Sequence, residues 1–287
     1  MKNIIRAALW LFCTDISIKN KSLLKTKGSL FIIANHPNSF LDAIIIGVQY
    51  KRRVHFLARG DAFTKRHHRF LLGLLNMIPV YRLREGKQYL YLNEYAFKES
   101  VRLLKKGEAV LIFIEGTCMN THQLQPFKKG ATRILESAHK EGVFPIIHIA
   151  GIGYNHFRGI GKKVNISLFQ YRFNQIINTP KDRVVFNKQI FELLNEQILP
   201  PTTPTIINKT PLYFFHLPYY KFIHHLADKK TKGTVFYDSV LFSLLLFTYP
   251  LFLFILFCFL YFITIPLPII FVTLLSIPLL AKTAIKQ

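Results

Sequence analysis

The chain has 287 residues, with 38 Lys plus Arg against 15 Asp plus Glu, a formal net charge of +23 and a pI near 10.0. A 51% hydrophobic fraction supplies ample material for a core and excludes a disordered basic tail or a low-complexity chain. Three cysteines (Cys13, Cys118, Cys258), scattered and without paired spacing, give neither a disulfide framework nor a zinc site and suit a reducing compartment.

The first 13 residues are apolar, interrupted by Lys2 and Arg6, and no small-residue cleavage site follows. The reading is an interfacial helix within 1–20 rather than a signal peptide. From 21 to 200, short runs rich in Ile, Val and Phe alternate with longer stretches of helical spacing, the pattern of strands and crossover helices. Strands are expected at 29–34, 54–58, 78–81, 109–114, 144–149 and 164–169. Helices are expected at 40–49, 62–75, 89–105 and 129–140, with Gly28, Gly107 and Gly142 at the joins. The expected fold class is α/β, a mixed, largely parallel sheet flanked by helices, followed by a C-terminal transmembrane helical hairpin. A basic cluster, Lys51, Arg52, Arg53, Arg59, Lys65, Arg66 and Arg69, flanks the apolar run 70–75 and fits a helix lying on anionic membrane lipids. A solvated basic face is the plainer account. Nucleic acid would use the same charge, but no recognised nucleic-acid signature accompanies it.

From 201 to 238, prolines alternate with Tyr, Phe and His, among them Tyr213, Phe214, Phe215, Tyr219 and Tyr220. This stretch reads as a linker, its rings either at the headgroup level of a membrane or packed on the domain. The last acid is Asp238, and 239–280 carries no charged side chain, about twice the ~20 residues one helix needs to cross hydrocarbon. Pro266 and Pro268 divide this tail into a hairpin over 239–281, with a re-entrant second arm as the alternative. Lys229, Lys230 and Lys232 before it and Lys282 and Lys286 after it mark both ends as cytoplasmic. The expected location is the inner (cytoplasmic) membrane, with the α/β domain on the cytoplasmic face.

Four segments carry chemistry. Asn35-His36-Pro37-Asn38-Ser39-Phe40-Leu41-Asp42 lies where a strand ends and a helix begins, a place where α/β proteins put ligands. A loop His and an Asp just inside the helix can form a base and its orienter, although a helix cap beside a surface His would look alike. Phe113-Ile114-Glu115-Gly116-Thr117 ends a second apolar run and could be a turn. Arg82 follows 78–81 and is a natural grip for a phosphate, or else a surface partner of Glu85. Phe144-Pro145 opens an apolar run that reads as core.

In this order and spacing the four segments resemble the motifs of the glycerol-phosphate and lysophosphatidic acid acyltransferase family. The resemblance covers Gly28 to about Tyr154. Asn35-His36 with Asp42 resembles its catalytic motif, Arg82 its phosphate-gripping Arg, 113–117 its acceptor motif and Phe144-Pro145 its late motif. It implies His36 and Asp42 as catalytic residues and Asn35, Arg82, Glu115, Gly116 and Thr117 as substrate-binding residues; Lys128, with Lys129 or Arg133 as alternatives, is expected to bind substrate from the same cleft in place of an Arg the family has after its Thr. It also implies acyl-CoA or acyl carrier protein as cosubstrate, with no metal or other cofactor. The acceptor would be glycerol 3-phosphate or lysophosphatidic acid, another lyso-lipid such as a lyso amino-acid lipid being the alternative, and a non-catalytic lipid-binding module a third. Three departures stand out. Five residues separate His36 from Asp42 where the family has four, which must be absorbed in the loop because one extra helical residue would turn Asp42 by about 100°. Ile114 replaces a Pro, and Cys118 stands where the family has an Arg. The helix start after His36 is expected to supply the oxyanion-stabilising amides.

Overall fold

The computed structural model describes residues 2–82, 86–173, 176–198 and 211–285. Its centre is a sheet of seven strands: β1 (Cys13–Lys19), β2 (Leu30–Ala34), β3 (Val54–Arg59), β4 (Met77–Val80), β5 (Ala109–Phe113), β6 (Ile146–Tyr154) and β7 (Lys162–Tyr171). They lie in the order β1-β7-β6-β2-β5-β3-β4. β6, β2, β5, β3 and β4 are mutually parallel, whereas β7 is antiparallel to β6 and carries β1 alongside it in parallel. The sheet is therefore mixed and mostly parallel, as the alternation of short apolar runs and helical stretches implies.

Nine helices accompany it among the described residues: α1 (Lys2–Phe12), α2 (Phe40–Gln49), α3 (Arg66–Leu74), α4 (Asn93–Lys105), α5 (Gly130–Lys140), α6 (Pro180–Gln197), α7 (Pro211–Thr231), α8 (Tyr237–Phe262) and α9 (Leu267–Ile285). Every residue of β2 and β5 is buried, as a parallel strand covered on both faces requires. Alternation divides β2 between two cores. Phe31 and Ile33 join the side closed by α4, α5 and α6, while Leu30, Ile32 and Ala34 join the side closed by α2. α2 is in turn covered by α1 and α8, so it is apolar almost all round. Its approach to β3 needs Gly47, where a Cβ would stand 2.5 Å from the Phe56 ring.

Three stretches depart from the sequence reading. Residues 1–20 are not one helix: α1 stops at Phe12 and Cys13–Lys19 alternates inward and outward as an edge strand. The two cations of α1 are spent within the protein. Lys2 Nζ donates to the carbonyls of Tyr50 (2.8 Å) and Arg52 (2.6 Å), and Arg6 donates to that of Val48 (2.5 Å), which satisfies the open C-terminal end of α2. Second, α6 was not anticipated, although Thr179 and Asp182 form a reciprocal capping box with Pro180 in the first turn, a signature visible in the residue types. Third, 201–238 is in part a helix, α7. Tyr219 stacks on Phe252 (4.8 Å between centroids) and bonds Thr248 at 2.7 Å, so this ring packs on α8. Residues 201–210 and the side chains of Tyr213, Phe214 and Phe215 lie outside the described residues, as does Lys286.

α8 has 26 residues and mean hydropathy 2.5 and is long and apolar enough to cross a membrane; the apolar part of α9, Leu267–Leu279, is shorter. Both helices meet the α/β domain at their charged ends. α8 starts against it with Tyr237, Asp238, Ser239, Leu241 and Phe242 buried. Near the end of α9, the buried Lys282 ammonium donates to the carbonyls of Trp10, Cys13 and Thr14 where α1 passes into β1.

Candidate active site

Asn35 follows the last residue of β2 and lengthens the strand by one side chain. Its Oδ1 accepts from Ile152 N (2.8 Å) and its Nδ2 donates to Ile152 O (2.9 Å), imitating a peptide unit two residues beyond the Ala34–Ala150 pair. On the other side Ile114 N donates to Ala34 O at 3.0 Å. His36 is thus presented from a strand end braced by both neighbours.

The chain turns before α2 through Ser39, a non-glycine residue with φ +54°, and Asp42 N donates back to Ser39 O at 3.1 Å. The extra residue between His36 and Asp42 is absorbed here, and Asp42 remains in the first turn of α2. Asp42 is fully buried. Its Oδ2 lies 2.9 Å from His36 Nδ1 and accepts from Asn38 N at 2.7 Å, and its Oδ1 accepts from the Tyr154 hydroxyl at 2.6 Å. A carboxylate on Nδ1 fixes the proton there and leaves the Nε2 lone pair as the basic position. Among the described residues nothing hydrogen-bonds Nε2. The imidazole is 19% exposed and stacks on Phe113 with centroids 3.8 Å apart. Tyr154 is held as a donor, because burial and then the neighbouring Asp42 raise its phenol well above the usual range.

Glu115, in the middle of the second motif, faces inward. It is 2% exposed, Oε2 accepting from His36 N (2.9 Å) and Oε1 from Gln125 N (3.0 Å). Burial pushes its carboxyl upward, against the pull of these two amides. Asn35 and Glu115, expected among the substrate contacts, therefore stand behind the imidazole with their polar atoms spent on backbone. Gly116 (φ +60°) turns the chain, and a Cβ there would meet Lys128 Cγ at 2.8 Å, so the Lys128 stem lies over it. Thr117 is half-buried beside it, its hydroxyl 3.4 Å from Glu115 O.

Arg82 follows β4, on the same edge of the sheet as His36, two strands beyond β5. With strands ~4.8 Å apart, β4 lies ~14 Å from β2. Asn93 brackets the preceding residue, bonding Tyr81 N and Tyr81 O at 2.7 Å each, and so fixes the backbone that presents Arg82. Glu85 lies outside the described residues. Arg59, at the end of β3 on this edge, pairs with Asp61 and lies over the Phe236 ring at 5.1 Å. The basic cluster 51–69 is accordingly split between opposite edges. Arg52 sits at the other end of β3, bonded to the carbonyls of Thr26, Gly28 and Gly107, while Lys65, Arg66, Arg69 and Phe70 are exposed near the site edge.

Four of the amides around the start of α2 are occupied: Asn38 N by Asp42, Ser39 N by Cys118 Sγ (2.9 Å), Leu41 N by Ser239 Oγ (3.2 Å) and Asp42 N by Ser39 O. The expectation that this segment offers a set of free oxyanion donors is corrected by those partners. Cys118 is no activated nucleophile, since burial and then Asp42 raise its thiol far above the usual range. Tyr154, Cys118, Asn120 (Nδ2 to Pro37 O, 2.9 Å) and Asp238 all brace the His36 loop and were not singled out as site residues from the sequence. Only Cys118 had a signal, its position directly after the Glu-Gly-Thr motif.

Residues 15–150 match the family model described as Acyltransferase. A 1-acyl-sn-glycerol-3-phosphate acyltransferase of Bacillus subtilis (strain 168) is 27% identical over 154 residues, 53% of this chain and 70% of that protein. The chloroplastic 1-acyl-sn-glycerol-3-phosphate acyltransferase BAT2 of Brassica napus is 29% identical over 162 residues, 55% of this chain and only 40% of that protein. Among solved structures, the 1-acyl-sn-glycerophosphate (LPA) acyltransferase PlsC from Thermotoga maritima aligns with a TM-score of 0.47 at 20% identity, over 69% of this chain and 77% of the other.

Proposed function

We propose that this chain, whose residues 15–150 match the Acyltransferase family model, is a membrane-bound O-acyltransferase that moves a fatty acyl group from acyl-CoA or acyl carrier protein to glycerol 3-phosphate or lysophosphatidic acid. The observation that carries the reading is the His36 Nδ1 to Asp42 contact of 2.9 Å, with Asp42 buried and Nε2 left basic. The names of the two curated relatives support the acceptor class.

Nε2 takes the proton of the acceptor hydroxyl as its oxygen attacks the thioester carbonyl carbon. The tetrahedral intermediate collapses to the new ester and a thiolate, which takes the proton back from the imidazolium. A positioned base of this kind contributes roughly 10²–10⁴-fold. Asp42 keeps the imidazole in the productive tautomer; Asn35 and Glu115 hold the backbone that carries it. Arg82 grips the acceptor phosphate, Gly116 lets the backbone come close to it, and Lys128 and Thr117 line the near side of the same edge. α8 and α9 anchor the domain in the cytoplasmic membrane, and the exposed cations of 65–69 face anionic lipid.

The test is a panel of phosphorylated and unphosphorylated acceptors with one labelled acyl thioester, given to detergent-purified protein and read by mass spectrometry of the lipid product. Phosphorylated glycerol acceptors are expected to be preferred, and Arg82→Ala is expected to raise their KM at least tenfold while leaving that of unphosphorylated acceptors within twofold. An equal effect on both classes would contradict the phosphate grip.

A further inference from the structure

The loop that sets the catalytic pair is held from outside the α/β domain. Its side-chain anchor is Asn38, fully buried four residues before Asp42, whose backbone N–H donates to that carboxylate. The Asn38 Nδ2 donates to Asp238 Oδ2 at 2.8 Å, and its Oδ1 is buried without a hydrogen-bond partner among the described residues, so the Asp238 contact alone orients the amide. Asp238 belongs to the first turn of the apolar helix α8. It is itself completely enclosed, paired with the equally enclosed Lys162 at 2.7 Å and accepting from Gly159 N at 2.9 Å. Its neighbour Ser239 accepts from Leu41 N at 3.2 Å. A carboxylate placed inside the protein at the mouth of an otherwise charge-free helix is costly unless every lone pair is used. Here its bonds are divided between the ammonium that neutralises it and the loop that carries Asp42.

We propose that Asp238 is a positioning residue for acyl transfer: through Asn38 it fixes the 37–41 loop in the one conformation that brings Asp42 onto His36, so that seating of α8 and assembly of the base are a single event. The loop passes through Ser39 at φ +54°, a strained conformation that persists only while surrounding contacts hold it, and the Asn38–Asp238 bond is the contact that comes from the apolar helix. The proposal rests on the acyltransferase reading for its activity arm alone.

Two double variants separate positioning from the buried charge pair. In both, Lys162→Met removes the cation, since a buried pair replaced on both sides by neutral groups is tolerated where a single deletion is not. Asp238→Asn with Lys162→Met keeps an amide that can bond Asn38 and is expected to retain at least a third of kcat. Asp238→Leu with Lys162→Met cannot, and kcat is expected to fall at least tenfold with KM within twofold. Hydrogen exchange of the peptide covering 36–42 is expected to speed up in the second variant only. Equal kcat in the two, whether high or low, would overturn the proposal. Should the leucine variant not fold, Asn38→Ala, which keeps the backbone N–H that Asp42 accepts, replaces it, and wild-type kcat there would overturn the proposal equally. If the wild-type protein transfers no acyl group, the functional reading fails; the exchange comparison still decides the latch, equal protection in both doubles sinking it.

Discussion

Asp42 receives three hydrogen bonds, from His36 Nδ1, Asn38 N and the Tyr154 hydroxyl, and has no exposure. A carboxylate removed from water to that extent is costly to bury unless its lone pairs are used by donors such as these. Tyr154→Phe deletes one donor of a charge-assisted bond, worth about 1.5–3 kcal/mol, and lets the carboxylate rotate off the imidazole. We expect kcat to drop about tenfold with KM little changed, measured on protein whose folding is checked by its melting temperature; an unchanged kcat would remove Tyr154 from the account. His36 and Asp42 were legible in the sequence because they sit six positions apart across a recognisable strand-to-helix join. Tyr154 was not, because it reaches Asp42 across 112 positions. No local pattern marks such a contact, and the phenol reads as one more apolar residue of β6. That Asn35 and Glu115 bond backbone was not legible, since a polar residue at a strand end looks the same whether it faces a ligand or closes a backbone gap.

β6 joins the two ends of the sheet energetically. Near its start His148, fully buried, is paired in register with Ile32 and lies 3.1 Å from the Tyr50 hydroxyl and 3.4 Å from Thr26 Oγ1. Burial lowers its pKa from 6.5 to about 4. In this window the unfolded chain binds the proton and the folded one does not. Stability is therefore complete above 6.5, declines as pH falls toward 4 and levels off below it. His148→Leu should abolish that component. Between pH 7.5 and 4.5 the wild type is expected to lose on the order of 2 kcal/mol more than the variant, read from denaturant unfolding in detergent; parallel losses in both would contradict the assignment. At this scale β2 and β5 were legible because each is an unbroken apolar run of the right length, and α2 because its apolar residues recur three and four apart. β1 was hidden, an alternating edge strand directly joined to an apolar helix. The ends of β6 and β7 were underestimated, because the glycines at 151 and 153 interrupt the apolar pattern although the ladder between the strands continues to Tyr154–Val164.

The match to the Acyltransferase family model ends at residue 150, yet the His36–Asp42 pair is braced from beyond it, by Tyr154, by Lys162 and by Asp238 of the apolar helix. That explains how one chain can couple a basic α/β domain to a charge-free tail: the tail starts and ends on the domain, at the carboxyl edge of the sheet through Asp238 and at the α1–β1 junction through Lys282. The long apolar helix α8 and the break at Pro266 before α9 were legible from composition alone. Which of the basic side chains stay outside the fold was not, since Lys2, Arg6, Arg52 and Lys282 are consumed by backbone carbonyls at element ends. On the proposed reading the whole arrangement serves one proton transfer, and the most direct measurement is acyl transfer by the purified protein from a labelled thioester, with ester and free thiol followed together. The account predicts one thiol released per ester formed, and a fall of at least a hundredfold in His36→Gln at an unchanged melting temperature. Turnover of His36→Gln within tenfold of the wild type would contradict it.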